Sequence, residues 1–338
     1  MKVLYIGQFS EGTTSKMRAD TINKLLRPKI FEVIDTHIPF FKTKKFFRSI
    51  GFRYKIGPLI STVNSFIIKN LKTSNYDLIW VDKGVFITPK TIKILKERTA
   101  KIIHFTPDMA FYANRSLLFN KSIKYYDYLI TTKSRELNFY KNYVAKEKVL
   151  LTTQGFDKRI HKPYHTFEEK DNAIVFIGLA EPSRLKIAEQ IINQNLTLKL
   201  VGKGWEAFVE KHKGNENLKF IGEAIYSSEY SKLISSSKFG LGLLSKMFPE
   251  LHTTRTFEIP ACGTILLTEV NNETLSFYSS SEAIFYNDID DLIDRLIYYA
   301  DHDHELKEMT HAGYLAVQEK GYDYESIILA LLKKIHAL

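Results

Sequence analysis

The chain of 338 residues contains one cysteine, Cys262. An intramolecular disulfide is therefore excluded, which fits a reducing compartment. No run of about 18 apolar residues occurs, so no membrane-spanning helix is expected. The opening MKVLYIG has only a short apolar run before polar residues begin. It reads as a first strand and not as a secretion signal. Histidines and cysteine never cluster at zinc-binding spacing. Low-complexity tracts are missing, and so are helix-turn-helix, zinc-finger and RNA-recognition signatures. What is present is a hydrophobic fraction of 44% and a formal charge of +10. The first is ordinary for a globular protein. The second admits nucleic acid, an anionic membrane face or phosphorylated small molecules as partners, and by itself favours a solvated lysine-rich surface.

The length predicts two domains. Apolar runs KVLYIG (2–7), FEVIDT (31–36), DLIWVD (77–82), KIIHFT (101–106), DYLITT (127–132) and KVLLTT (148–153) are separated by helical patterns. After a polar stretch the alternation restarts with AIVFIG (173–178), LTLKLVG (196–202), NLKFIG (217–222), KFGLGLL (238–244) and GTILLT (263–268). Continuous apolar runs fit strands buried on both faces, and strand–helix alternation implies parallel sheets with crossover helices. The expected class is α/β, with two Rossmann-like, doubly wound domains. The first spans 1–155, a linker 156–172, and the second 173–320. A helix in 321–338 is expected to pack back on the first domain.

Ligands of open parallel sheets sit beyond the carboxyl ends of the strands. In the second half those ends carry Gly178 and Arg184, then Gly202, Lys203 and Gly204, then Lys246 and Glu250, then Thr254, Arg255, Thr256 and Glu258. Glycines let a ligand approach the backbone, and helix-end amides favour phosphate. Four cations can neutralise a diphosphate, and a carboxylate can accept from two ribose hydroxyls. Taken singly, the glycines fit plain turns and the cations fit solvent. Arg255 and Glu258, three apart on a helix, could pair with each other. Only the conjunction reads as a nucleotide-diphosphate pocket. VGKGW lacks the third glycine of G-x-G-x-x-G, which disfavours a dinucleotide dehydrogenase.

Glu250 and Glu258 have seven residues between them. This spacing resembles the E-x7-E element of retaining glycosyltransferases of the GT-B fold. The stretch HTTRTFEIPACGTILLTE (252–269), the acidic helical segment after it, and the later AG…V and Y-x-Y elements resemble the spore-maturation-type (CgeB-like) bacterial glycosyltransferases. FIG…SR and YDYLITTKSRELNFYKNY…GFD extend the likeness more loosely. The resemblance implies a GT-B architecture facing a central cleft and a nucleotide-sugar donor of the UDP or GDP type, with no further cofactor. It implies that Glu258 holds the ribose, Arg255 and Lys203 the diphosphate, and Glu250 the donor sugar. Leu251 and His252 stand where the commoner E-x-F-G version places a glycine.

DID (288–290) and DHD (301–303) formally match a metal–diphosphate motif, but acids at helix starts cap free amides, and no metal is expected. In the first half, GQFSEGTTSKMR (7–18) is a loop that opens a helix, with Gly7, Thr13 and Arg18 as acceptor-side candidates. HFTPDMAFY adds His104 and Asp108, the latter positioned to polarise a hydroxyl or to cap a helix. Residues 39–57 interleave six aromatics with six basic residues. Such a segment suits an anionic membrane surface, single-stranded nucleic acid, or a domain core with solvated lysines. The expected function is transfer of a sugar to a hydroxyl of a glycan, lipid-linked or surface-polymer acceptor, by a cytoplasmic enzyme with possible peripheral membrane contact. The rivals are a nucleotide-sugar epimerase and a basic nucleic-acid-binding protein.

Overall fold

A computed structural model describes residues 1–337. The chain forms two units, Met1–Thr153 with Glu325–Leu338, and Gln154–Tyr324. Unit 1 holds β1 (Lys2–Gly7), β2 (Ile30–Asp35), β3 (Tyr76–Asp82), β4 (Thr99–Thr106), β5 (Tyr128–Thr131) and β6 (Val149–Leu151). They form one parallel sheet in the order β2-β1-β3-β4-β5-β6. Side chains alternate between its faces. Leu4, Ile6, Ile79, Val81 and Ile102 enter one buried cluster, whereas Val3, Tyr5, Leu78, Trp80 and Ile103 enter another. Both faces are therefore covered, which is why the strands read as unbroken apolar runs.

Unit 2 repeats the plan with β7 (Asp171–Ile177), β8 (Leu198–Val201), β9 (Leu218–Gly222), β10 (Ser237–Leu241), β11 (Ile265–Glu269) and β12 (Ile284–Tyr286). All pairs are parallel, in the order β12-β11-β10-β7-β8-β9. Ile174 and Phe176 face one cluster, Val175 the other. β12 is absent from the sequence expectation because its three residues IFY sit inside an otherwise helical, acidic stretch.

One boundary differs from expectation. Residues 156–172 are not a free linker. Phe156 is fully buried in the unit 2 core, and its backbone pairs with that of Tyr322 and Tyr324. The polar composition misleads here because Asp157, His161 and Lys170 are buried with partners. At the other end, the helix Tyr324–Lys334 belongs to unit 1. Ile327, Ile328, Leu331 and Leu332 form an apolar stripe in the same cluster as Trp80, and Lys24 bonds Glu325 at 2.6 Å.

Each sheet has one topological switch point. In unit 1 it lies between β1 and β3, and in unit 2 between β7 and β10. Crossovers leave these strands in opposite directions, which opens a crevice at their carboxyl ends.

Candidate functional site

The unit 2 crevice is built on two arginines. Arg184 lies in the helix Pro182–Asn193 after β7, and Arg255 starts the helix Arg255–Ala261. Both donate to the carbonyl of Leu243, just beyond β10, at 3.3 and 3.2 Å. Both guanidinium groups lie over the Phe176 ring, 5.4 and 5.6 Å from its centroid. Arg184 also meets Glu181 at 2.9 Å and donates to the Leu179 carbonyl. Burial, and then the adjacent Arg255 charge, pull the Arg184 guanidinium below its ordinary value. The buried Nε of each arginine has no hydrogen-bond partner. Two like charges sharing one carbonyl, with unspent donors, form an arrangement that an anion would relieve.

Carboxylates frame this pair. Glu181 accepts from the Ser245 hydroxyl at 2.9 Å, and Glu250 accepts from the Ser245 N–H at 3.1 Å. Glu250 helps line a cavity of about 420 Å³ formed by residues 244–251 and 269–271. Lys246, at its rim, is ion-paired with Glu269. Lys203 is exposed in the turn after β8. The glycines around it have a local cause. Gly202 has φ of +147°, and a Cβ there would fall 1.9 Å from the Gly178 carbonyl oxygen. That oxygen accepts from the Trp205 indole at 2.9 Å, so Gly178, Gly202 and Gly204 form the tight turn over a buried tryptophan.

Glu258 does not pair with Arg255. It is 5% exposed, accepts from the Tyr230 hydroxyl at 2.6 Å, and has His161 Nε2 3.6 Å away. The Asp157 N–H donates to His161 Nδ1, so the ring's own N–H faces Glu258. Burial and the Glu258 carboxylate push the Tyr230 phenol well up. Thr254 precedes the Arg255 helix, and its carbonyl accepts from the Glu258 N–H. Thr256 is fully buried, and its hydroxyl accepts from the Thr253 N–H. His252, inside the seven-residue gap, is a buried strut. It donates to Glu273 at 2.5 Å and accepts from the Gln154 N–H. Cys262 is buried, its thiol pushed up to about 12, chiefly by burial.

Unit 1 has its own crevice, a cavity of about 240 Å³ lined by His37, Phe40, Phe52, Lys83, Phe86 and Asn114 among others. Thr13 lines it and caps the helix Thr14–Leu26 through the Lys16 N–H. Gly7 ends β1 where a Cβ would press on Asp82 Cβ at 2.9 Å. Arg18 does not open into this space. It is 1% exposed, bound through two nitrogens to Asp82 at 2.8 and 3.0 Å, with Tyr5 bonding the same carboxylate. A buried guanidinium needs such a partner, and breaking a pair of this kind typically costs about 3–5 kcal/mol. His104 is also internal, stacked on Phe119 at 4.3 Å, with Nε2 against the Lys83 carbonyl at 2.9 Å. Burial lowers its pKa to about 4.

Asp108 is 40% exposed and meets Lys83 at 2.6 Å. Crowding alone would raise its carboxyl, but the Lys83 ammonium outweighs this and holds it below the usual range. Glu136, fully buried, accepts from the Ala110 and Phe111 N–H groups and fixes this loop. Asp82, Lys83, His37 and His161 were missed in the sequence. The first two had a signal, a charged pair followed by glycine where a strand ends. His161 had none, since it lay in the supposed linker.

Among the described residues, no group of three or more His, Cys, Asp or Glu side chains is arranged to hold a metal. Asp288 caps its helix by accepting from the Asp291 N–H, and Asp303 pairs with Lys238. No described helix is long and apolar enough to cross a membrane.

Residues 184–333, which contain both arginines and Glu258, match the model of a family described as glycosyl transferase-like. No curated protein matches the chain. Among solved structures, Anabaena HepE, determined with UDP, with UDP and glucose, and with UDP-glucose, is 15% identical with a TM-score of 0.66, and each chain covers 100% of the other. Sucrose-phosphate synthase from Thermosynechococcus elongatus is 12% identical (TM-score 0.67), covering 100% of this chain and 99% of its own. A glycosyltransferase from Rickettsia africae is 11% identical (TM-score 0.68), covering 98% and 97%. At such identities the likeness concerns the fold, and the fold is that of the GT-B glycosyltransferases, with two Rossmann-like units.

Proposed function

We propose that the protein is a nucleotide-sugar-dependent glycosyltransferase that takes its donor in the unit 2 crevice. The observation that carries this reading is the Arg184–Arg255 pair, two adjacent cations with unspent donors at a switch point. The glycosyl transferase-like match over the same segment supports it, as does the resemblance to the spore-maturation-type enzymes. HepE with UDP-glucose favours a UDP donor. Arg184, Arg255 and Lys203 hold the diphosphate, Glu258 takes a ribose hydroxyl on Oε1, the one oxygen not engaged by Tyr230, and Glu250 contacts the sugar. The acceptor is a hydroxyl compound, and a glycan fits best. TarM, solved with UDP and alpha-GlcNAc-glycerol, is a related case over 82% of this chain.

Calorimetric titration with UDP in excess chelator tests the donor site. The wild-type protein should bind. Glu258→Ala should weaken UDP by about tenfold, one charged hydrogen bond's worth. Glu250→Ala should leave bare UDP unchanged and weaken only the nucleotide sugar. Binding abolished by chelator, or equal losses in the two variants, would overturn these roles.

Transfer with retention follows if Glu250 and Glu258 act as an E-x7-E pair. An inverting enzyme needs a base of suitable pKa near the acceptor hydroxyl. Asp108 is the candidate, but Lys83 keeps its carboxyl low and ion-paired. In a retaining reaction the leaving phosphate assists the incoming hydroxyl on the same face, so the arginines carry the rate. Proton NMR of the fresh product should show the donor's anomeric configuration. An inverted product, with activity lost in Asp108→Asn, would make the seven-residue spacing coincidental.

A further inference from the structure

The helix Lys45–Tyr54 has an apolar face that unit 1 leaves uncovered. Its only buried residue is Gly51, where a Cβ would lie 2.5 Å from Leu59 Cβ. Phe46 is 70% exposed, and Phe41, Phe47, Phe52, Tyr54 and Ile56 are all exposed around it. Aromatic residues of this size normally go inside, and a contiguous exposed group marks an interaction surface.

The charge on this surface has one sign. Between Asp35 and Asp77 the chain has no acidic residue and eight basic ones. Among the described residues, Lys42, Lys44, Lys45, Arg48, Arg53 and Lys55 have no carboxylate within ion-pairing distance. Lysines elsewhere in unit 1, such as Lys16, Lys24 and Lys96, do. Arg48 lies over the Phe40 and Phe41 rings, and Lys55 over Phe52 and Phe86. Two of the cations are therefore held against the exposed rings of Phe41 and Phe52.

We infer that the surface formed by the helices His37–Lys42 and Lys45–Tyr54 docks on an anionic lipid bilayer. The aromatics enter the headgroup–acyl boundary and the basic residues meet lipid phosphates, as in helices that lie in a membrane interface. A protein partner would need a matching acidic groove. A bilayer supplies negative charge and apolar depth together, which answers exposed aromatics beside basic residues that have no carboxylate partner. Membrane contact through these helices involves neither donor nor acceptor, so vesicles alone suffice to detect it.

Flotation with phosphatidylcholine vesicles, and with vesicles that also contain phosphatidylglycerol, reads the contact. The protein should float only with the anionic vesicles, and less as salt is raised. Lys42→Glu/Lys44→Glu/Lys45→Glu should lower the partition coefficient by on the order of a hundredfold or more, since each basic residue near the surface contributes about a factor of five. Phe46→Ser/Phe47→Ser should lose binding as well. All five residues are exposed, so both variants should melt like wild type. A control with the same charge change elsewhere, Lys121→Glu/Lys124→Glu/Lys141→Glu, should still float. Absent flotation, equal flotation with neutral vesicles, or equal loss in the control would overturn the inference. So would retention of a labelled oligothymidylate by the wild type with no vesicle binding, which would assign the patch to single-stranded nucleic acid.

Discussion

Replacing Arg255 by glutamine should weaken UDP binding about 30- to 100-fold while leaving the unliganded protein as stable as before, or more so. The two halves of this expectation have one cause. Arg255 and Arg184 lie over the same ring and share the Leu243 carbonyl, and the Arg255 charge is one reason the Arg184 guanidinium is pulled down. In the free protein Arg255 therefore costs electrostatic energy and returns one shared hydrogen bond. With a diphosphate bound, the same charge makes charge-assisted bonds of about 1.5–3 kcal/mol each. A side chain kept for packing would show the reverse, a loss of stability with little change in affinity. Arg255→Lys should fall between, because an ammonium keeps the charge but not the planar fork. Arg184→Gln should lose affinity too, but it also strips Glu181 of its 2.9 Å partner and so lowers the melting temperature. Calorimetry paired with thermal unfolding separates these outcomes. Unchanged UDP affinity in Arg255→Gln would remove the arginine pair from the donor site.

The sheets were legible because burial on both faces leaves a mark that composition alone preserves. KVLYIG and DLIWVD can hardly be anything but central parallel strands. Strand ends were legible for the same reason, since a buried run must stop somewhere and the next residues face the crevice. What each side chain does there was not. Spacing on one helix suggested that Arg255 and Glu258 pair. In the structure they diverge, Arg255 to a carbonyl beyond β10 and Glu258 to Tyr230 and His161. Arg184 and Arg255 lie far apart in sequence, and only the order β10-β7 at the centre of the sheet brings their carriers together. Arg18 looked available because loops that open helices often face ligands. Its partner, Asp82, was hidden at the end of a strand read only for its apolar residues. Buried polar pairs of this kind join distant segments and leave no local periodicity.

His104 supplies an expectation about acid. Between neutral pH and about pH 4.5, unit 1 should lose roughly 2.5 kcal/mol of stability that a His104→Phe variant does not lose. The ring is 1% exposed, stacked on Phe119, and its Nδ1 has no hydrogen-bond partner, so a proton added there would be a buried charge whose cost the Lys83 carbonyl and Asp82 offset only in part. Its folded-state pKa is accordingly about 4, against about 6.5 in an unfolded chain. Above pH 6.5 both states are neutral and the group contributes nothing to the pH dependence. Between 6.5 and 4 only the unfolded chain takes up the proton. The unfolded state then binds more protons, and stability falls as pH falls. The full difference of about 2.5 pH units corresponds to roughly 3 kcal/mol, reached only when pH has passed below 4. Phenylalanine can keep the stack on Phe119 but cannot bond the Lys83 carbonyl, so the variant starts less stable and declines less steeply. Urea unfolding at a series of pH values, followed by emission from Trp80, the buried tryptophan of unit 1, gives both slopes. Parallel slopes in the two proteins would mean that His104 is protonated in the folded state near neutrality, and that the site around Lys83 accommodates a second cation.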